Sequence, residues 1–224
     1  MQYSLSPSTL NLYNECRKCF WLQFNRNIKR PDGIFPSLPS GMDKVLKIHF
    51  DGYASQNKLP PEINHLEGVS VFDDINLLRV WRNNFSGIRY KDESGNILRG
   101  AVDAILKKDG KLIVLDYKTR GYPLKEDTHH HYINQLSFYN FLLRKNGYET
   151  EDYSYLLFYH PDSVIETVFK FNADLVKVET DVEKAEQLFN DALDLLKGPM
   201  PASSDDCQFC KYRSQNFSTS LLDY

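Results

Sequence analysis

The sequence predicts an α/β fold: a mixed central β-sheet flanked by helices, with a helical N-terminal elaboration and a cysteine-ligated metal centre joining the two ends. Three observations carry this reading. Asp109-Gly110 between apolar runs is a two-residue hairpin signal. A helix-length segment follows that hairpin and precedes two further strand-like runs, so the order is helices, three strands, helix, two strands, helix. Two Cys-x₂-Cys pairs, Cys16/Cys19 and Cys207/Cys210, stand at opposite ends of the chain with no cysteine left over.

Ser6-Pro7 opens the first helix: serine is a good N-cap and proline fits the first helical position. Leu10, Tyr13, Cys16/Cys19 and Leu22 follow at helical spacings. Pro31, Gly33, Pro36 and Pro39 make residues 28–39 a loop, and a second helix is expected over Met42–Tyr53. A strand is expected near Val69–Phe72, whereas Leu77–Trp81 has no clear pattern. From Ile88 the signals sharpen into a strand through Tyr90, a turn at Ser94-Gly95-Asn96, and a hairpin of Ile97–Lys108 against Lys111–Lys118. Gly121–Thr128 reads as a loop, and Tyr132–Lys145 as a helix closed by Asn146-Gly147. Tyr153–Tyr159 and Val164–Phe171 are expected as strands across His160-Pro161-Asp162-Ser163. Thr180 and Glu183 form a capping-box pattern for a last helix ending at Lys197, before Gly198-Pro199. A single domain over 1–224 is expected, with a mainly helical part (1–86), a core bearing the candidate chemistry (87–171), and a C-terminal helix and tail (172–224).

The hairpin register has a chemical consequence. With Lys108 and Lys111 flanking the turn, Asp103 falls opposite Asp116, while Lys118 lies one pleat beyond Asp116 on the same face, opposite Ala101. Like charges paired across strands are destabilising by a few tenths to about 1 kcal/mol, so something should neutralise them. Carboxylate oxygens suit hard divalent ions such as Mg²⁺ or Mn²⁺, and a lysine beside such an ion can orient water and stabilise negative charge. A solvated Asp–Lys face is the plainer explanation of the same spacing. Against it, Leu112-Ile113-Val114-Leu115 is a continuous apolar run typical of a strand covered on both faces, and Asp116 follows immediately.

Hydrophobic residues make up 42% of the chain and charged residues 25%, as in ordinary soluble globular proteins. No apolar run approaches the roughly eighteen residues of a membrane span, and the N-terminus lacks a signal-peptide pattern, so a cytoplasmic location and no membrane partner are expected. The formal net charge of −3 does not decide for or against nucleic acid, because a binding cleft can be locally basic. Arg17, Lys18, Arg26, Lys29 and Arg30 form one basic cluster, and Lys118, Arg120 and Lys125 another. Either cluster can also be read as solvated surface.

Gln135 and Tyr139, four apart, share one face of the expected helix and could orient a phosphate or the lysine, or be a boundary residue and a core aromatic. His129-His130-His131 point in different directions on a loop, which disfavours a three-ligand metal site. The four cysteines read as thiolate ligands of one centre, Zn²⁺ or an iron–sulfur cluster, rather than as disulfides, with buried free thiols or redox groups as the alternative. Such a centre would tie the first helix to the C-terminal tail and stabilise the fold.

These residues together resemble the PD-(D/E)XK nuclease superfamily, in its RecB-like branch. Arg99-Gly100-Ala101-Val102-Asp103 matches the Gly-x-x-Asp motif, Asp116-Tyr117-Lys118 the (D/E)-x-K motif, and Gln135 to Tyr139 the Gln-x-x-x-Tyr motif. Ser6-Pro7-Ser8, Tyr13 and Cys16, with Cys207-x₂-Cys210, look like the cysteine-bearing members, among them the CRISPR-associated exonuclease of spacer acquisition and AddB nuclease domains. The resemblance implies a restriction-endonuclease-like fold and metal-dependent hydrolysis of DNA, exonucleolytic and in repair, recombination or CRISPR adaptation, with protein partners in such a complex. It implies that Asp103, Asp116, the Tyr117 carbonyl and His49 hold Mg²⁺ or Mn²⁺, and that Lys118 positions the attacking water. Gln135 and Tyr139 would support substrate or lysine; Arg17, Lys18 and Arg120 would follow the phosphate backbone. It also implies a 4Fe-4S cluster on Cys16, Cys19, Cys207 and Cys210. Two departures stand out. Two cysteines at each end, in place of one and three, leave Zn²⁺ as the alternative, and His49 lies further from Gly41 than the family spacing. Two other readings are a catalytically silent nuclease fold that binds DNA or a partner protein, and a zinc module for nucleic-acid recognition.

Overall fold

The Asp-Gly hairpin forms with the expected register. In a computed structural model, which describes the backbone of residues 2–219 and the side chains of residues 2–215, Lys108 pairs with Lys111 and Ala104 with Leu115. Met1 and residues 220–224, the extremities of the expected domain, lie outside the described residues. The elements in chain order are β1 (Ser4–Leu5), α1 (Pro7–Glu15), α2 (Arg17–Arg26), α3 (Ser37–Ala54), β2 (Val69–Val71), α4 (Ile75–Trp81), β3 (Ile88–Lys91) and β4 (Ile97–Gly100). There follow β5 (Ala104–Lys108), β6 (Lys111–Thr119), a 3₁₀ turn (Thr128–Tyr132), α5 (Ile133–Lys145), β7 (Tyr153–Ile165), β8 (Val168–Glu179), α6 (Val182–Lys197) and α7 (Gln208–Thr219).

Five strands form a sheet in the order β2-β5-β6-β7-β8, in which only β6 and β7 run parallel, joined by α5 as the crossover. A smaller sheet has the order β1-β4-β3. Period-two alternation sends Leu112 and Val114 of β6 into the core beneath α5 and α6, and Ile113, Leu115 and Tyr117 into a second core against Leu46 and Phe50 of α3. All four residues of the apolar run Leu112–Leu115 are buried, as expected of a strand covered on both faces.

The strand expected over Ile97–Lys108 is broken. β4 belongs to the small sheet and β5 to the large one, so Ala101 has left the ladder and does not face Lys118. The cause is a change of partner: Val102 N donates to Trp81 O, and Arg82 Nε donates to Asp103 O, so the end of α4 takes bonds that β6 would otherwise supply. Leu77–Trp81, unassigned from sequence, lies in that helix, capped by Asp74.

Other boundaries also moved. Ser6 caps α1 as expected, exchanging hydrogen bonds with Thr9, but Cys16 is extended (φ −159°) and divides the expected first helix into α1 and α2. α3 begins at Ser37, because Pro39 in a first turn forfeits no helical hydrogen bond. β7 runs straight through His160-Pro161-Asp162-Ser163, and the turn lies at Glu166-Thr167. Pro161 is tolerated there because β6 pairs only as far as Thr119 with Tyr159, which leaves that part of β7 with β8 as its one ladder neighbour and a register irregularity at Pro161/Ser163. The cap of α6 is Asp181, which accepts from Lys184 N at 2.8 Å; Thr180 instead accepts from Asn140 Nδ2. α7, expected only as tail, carries Cys210.

Candidate active site and cysteine centre

β6 delivers Asp116 and Lys118 to one face by the period of two, and both sit at the end of the strand paired with β7. Asp116 is 2% exposed. Its Oδ2 contacts Lys118 Nζ as an ion pair. Burial, opposed by Lys118 and reinforced by the nearby Asp103 charge, pushes the Asp116 carboxyl up to about 7. Lys118 moves upward as well: burial alone would lower it, but Asp116, joined by the Asp103 charge, more than offsets burial and holds it as an ammonium. Its Nζ also lies 4.9 Å from the centre of the Tyr132 ring.

Asp103 stands where the chain passes between the sheets, at the continuation of the hairpin register opposite Asp116. Its Oδ2 accepts from Tyr117 N at 3.1 Å, and its Oδ1 lies 3.0 Å from Lys47 Nζ. The two carboxylates and two lysines thus form a compact, mutually neutralising group. A buried carboxylate beside a second carboxylate is a donor set that suits a hard divalent ion.

α5 places Gln135 and Tyr139 on one face, as expected, and Gln135 Nε2 donates to the Tyr139 hydroxyl at 2.8 Å. Burial, with the negative charge of Asp116 next in order, raises the Tyr139 phenol far above its usual range, so it stays protonated. Both residues line a cleft of about 310 Å³ whose other walls include Ser6, Ser8, Arg99 and Gly100.

His49 is not gathered with the two aspartates. Its Nε2 lies 3.0 Å from Glu62 Oε1, to which the Tyr159 hydroxyl also donates, and among the described residues only the cysteines bring three or more His, Cys, Asp or Glu ligand atoms together. The reason is helical geometry: two residues after Lys47, His49 is turned about 200° away from the residue that reaches Asp103. Lys47 was missed from sequence. So was the stripe it belongs to, Asp43, Lys47 and Asp51, spaced four apart beside the buried Leu46 and Phe50. Asp43 Oδ2 lies 2.8 Å from Lys47 Nζ, and Asp51 Oδ1 lies 2.6 Å from Arg82 Nη1, the guanidinium that also holds the Asp103 carbonyl. The signal was available as charges at helical spacing along the margin of an apolar face.

Arg120 lies two residues past Lys118, its backbone N–H bonded to Tyr159 O. Arg17 and Lys18 stand elsewhere, on α2: Arg17 packs over the Tyr13 ring, and Lys18 lines a cleft with Cys210 and Lys211. The three histidines form the 3₁₀ turn ahead of α5.

The four cysteines converge as expected. Cys16 and Cys210 sulfurs are 3.8 Å apart, and Cys19 is 3.6 Å from both Cys207 and Cys210, with all four ligand atoms within 4.8 Å of one another. The extended Cys16 between α1 and α2 makes this possible, and Cys207 immediately before α7 and Cys210 in its first turn supply the opposing pair. Arg30 Nη2 approaches Cys207 Sγ at 3.6 Å and also pairs with Glu15. Unaided, the thiols cannot all ionise: burial resists ionisation of Cys16, yet hydrogen bonds from the backbone at Ser204 and Cys19 bring it down to about 6, while burial and its neighbours raise Cys210. A bound cation resolves that conflict.

The profile of the PD-(D/E)XK nuclease superfamily matches residues 78–215, which include β5, β6 and α5 with their candidate residues. The chain belongs to that superfamily. Among solved structures, this nuclease-superfamily chain resembles a protein from Eubacterium rectale named only as a candidate exonuclease, with a TM-score of 0.53 and 15% identity, over 94% of this chain and 88% of that one. At that identity the likeness concerns the fold. No curated protein matches the chain. Among the described residues, no helix of this superfamily member is long and apolar enough to cross a membrane.

Proposed function

We propose that the protein is a divalent-metal-dependent nuclease that hydrolyses phosphodiester bonds in DNA. One observation carries the reading: the buried Asp116 carboxyl lies beside Asp103 and is paired with Lys118. Superfamily membership supports it. Asp103, Asp116 and the Tyr117 carbonyl are the groups that would hold Mg²⁺ or Mn²⁺, which when bound supplies Lewis-acid polarisation of the phosphate and acidification of water. Lys118, an ammonium ringed by Asp116 and Tyr132, stabilises the charge that accumulates on phosphorus oxygens as water adds and the P–O3′ bond breaks. The products are a 5′-phosphate and a 3′-hydroxyl. Gln135 and Tyr139 present donors from the cleft wall to the strand on one side of the scissile phosphate, and Arg120, just past the end of β6, is the next basic residue after Lys118. The exonuclease reading is favoured by the same resemblance that implies the RecB-like branch. A role in repair, recombination or CRISPR adaptation, with protein partners there, is the context that branch suggests.

The decisive assay uses end-labelled single- and double-stranded DNA with and without Mg²⁺ or Mn²⁺. Cleavage is expected only with metal, and is expected to disappear in Lys118→Ala and Asp116→Asn proteins that keep the wild-type circular dichroism. Metal-independent cleavage, or cleavage undiminished in Lys118→Ala, would overturn the reading.

The cysteine centre is proposed as a structural site for a single tetrahedral ion, Zn²⁺. Ligands about 2.3 Å from a tetrahedral zinc stand roughly 3.8 Å from one another. Three of the six sulfur pairs, at 3.6–3.8 Å, match that edge, and all four sulfurs lie within 4.8 Å of one another. In a 4Fe-4S cluster each thiolate binds a different iron and the sulfurs stand wider apart, so the close spacing favours zinc over the cluster implied by the resemblance. Elemental analysis of anaerobically purified protein tests this: one zinc and no visible absorbance are expected, and a brown protein with stoichiometric iron and sulfide would refute it.

A further inference from the structure

Asp103 and Asp116 each have a lysine, but the two lysines are placed differently. Lys118 Nζ has Asp116 and the face of Tyr132 around it. Lys47 Nζ bridges two carboxylates, Asp103 Oδ1 at 3.0 Å and Asp43 Oδ2 at 2.8 Å. Asp103 is the less exposed partner, its side chain at 17% against 42% for Asp43. From these positions we infer that Lys47 is the resident cation of Asp103, yielding Oδ1 to an incoming divalent ion and falling back on Asp43. The inference rests on the metal-site reading above.

The electrostatics favour that exchange. Without a divalent ion, two buried or half-buried carboxylates facing each other are stable only with their ammonium partners in place. An ion binding both carboxylates competes with the ammonium groups for the oxygens they contact. If Lys118 were displaced, an enclosed charge would lose its one carboxylate. Lys47 loses nothing of the kind, because Asp43, one turn earlier on α3, already holds it and is open to solvent. Lys47 is therefore a positioning residue that lowers metal affinity in the free protein, and Asp43 is the acceptor that makes the displacement cheap.

The test is calorimetric titration of the full chain with Mn²⁺ in the absence of nucleic acid, so that the readout is metal affinity rather than turnover. Lys47→Met removes the competing ammonium and is expected to bind Mn²⁺ roughly two- to fivefold more tightly, the scale of one partly exposed ion pair. Asp43→Asn leaves Lys47 with Asp103 alone and is expected to weaken binding by a similar factor, about two- to fivefold. A residue of purely structural importance would not give opposite signs. Asp103→Asn is the control, expected to lose binding. If it keeps full affinity, the metal-site reading fails and this inference with it. If binding is lost in Asp103→Asn yet Lys47→Met binds no more tightly, the role of Lys47 alone is overturned. Should Lys47→Met not fold, unchanged affinity in Asp43→Asn overturns it equally.

Discussion

A methyl group at Gly100 would lie 2.9 Å from Cε1 of Tyr139 and 2.9 Å from Cδ1 of Leu142, so the approach of β4 to α5 depends on glycine there. Tyr139 and Leu142 are both buried, and the Tyr139 hydroxyl is the acceptor for Gln135. Gly100→Ala must therefore displace the ring. Overpacking of this kind typically costs about 1–3 kcal/mol, and here it also moves the Gln135–Tyr139 pair out of the cleft. The expected result is a lower melting temperature together with a nuclease rate reduced about tenfold or more, the scale on which small misplacements affect positioned groups. Wild-type values for both would show that the tyrosine position is not set by this contact.

Asp116 and Lys118 supply a double-mutant cycle. Removing one member of a buried ion pair typically costs about 3–5 kcal/mol, because the other is left enclosed without a counter-charge. Lys118→Met should therefore destabilise the protein, and Asp116→Asn in the same chain should recover much of that loss while activity stays absent. Urea unfolding of the two single variants and the double variant measures the coupling. Additive losses would mean the pair is not energetically linked.

The part of this site that could be read from sequence was the part governed by local rules. An Asp-Gly turn and the two-residue period of a strand suffice to set the hairpin register as far as Ala104 and Leu115, one residue short of Asp103 and Asp116, and to put Lys118 on the face of Asp116. The helix carrying Gln135 and Tyr139 was legible for the same reason, from a 3.6-residue period. What escaped depends on tertiary partners. The break at Ala101–Asp103 follows from hydrogen bonds to Trp81 and Arg82, which no neighbouring residue announces. His49 and Lys47 lie two apart on one helix, and only the packing of Leu46 and Phe50 against the sheet decides which of them faces Asp103. Likewise His160-Pro161-Asp162-Ser163 has turn composition, yet its place beyond the pairing limit of β6 lets β7 continue through it.

The raised Asp116 carboxyl has a pH signature with a definite sign. Its ordinary value is 3.8 and burial lifts it to about 7, so between those values the unfolded chain has lost a proton that the folded chain retains. Stability in the absence of metal falls across that window as pH rises, and Asp116→Asn removes this component. Metal binding needs the ionised form. For one competing proton, apparent Mn²⁺ affinity should weaken by about tenfold per pH unit below pH 7. Thermal shift measurements at fixed Mn²⁺ should show a larger gain at pH 8 than at pH 6. A gain equal at both values would show that Asp116 already carries its charge at pH 6.

The cysteine centre makes a prediction that separates fold from chemistry. It joins α1 and α2 to α7, whereas Asp103, Asp116 and Lys118 are held by β5, β6 and their neighbours. A metal link between residues 16–19 and 207–210 closes nearly the whole chain into one loop, so its loss acts on stability first. Cys19→Ser removes the sulfur that lies within 3.6 Å of both Cys207 and Cys210 and should release the ion. Losing several kcal/mol in a chain of this size corresponds to a fall in melting temperature on the order of 10 °C. Below that lowered transition the folded protein should still cleave DNA with Mn²⁺, at a rate near that of the wild type. Abolished cleavage in Cys19→Ser protein that is folded at the assay temperature would mean that the centre takes part in holding substrate, which the basic residues beside it, Lys18 and Lys211, are placed to do.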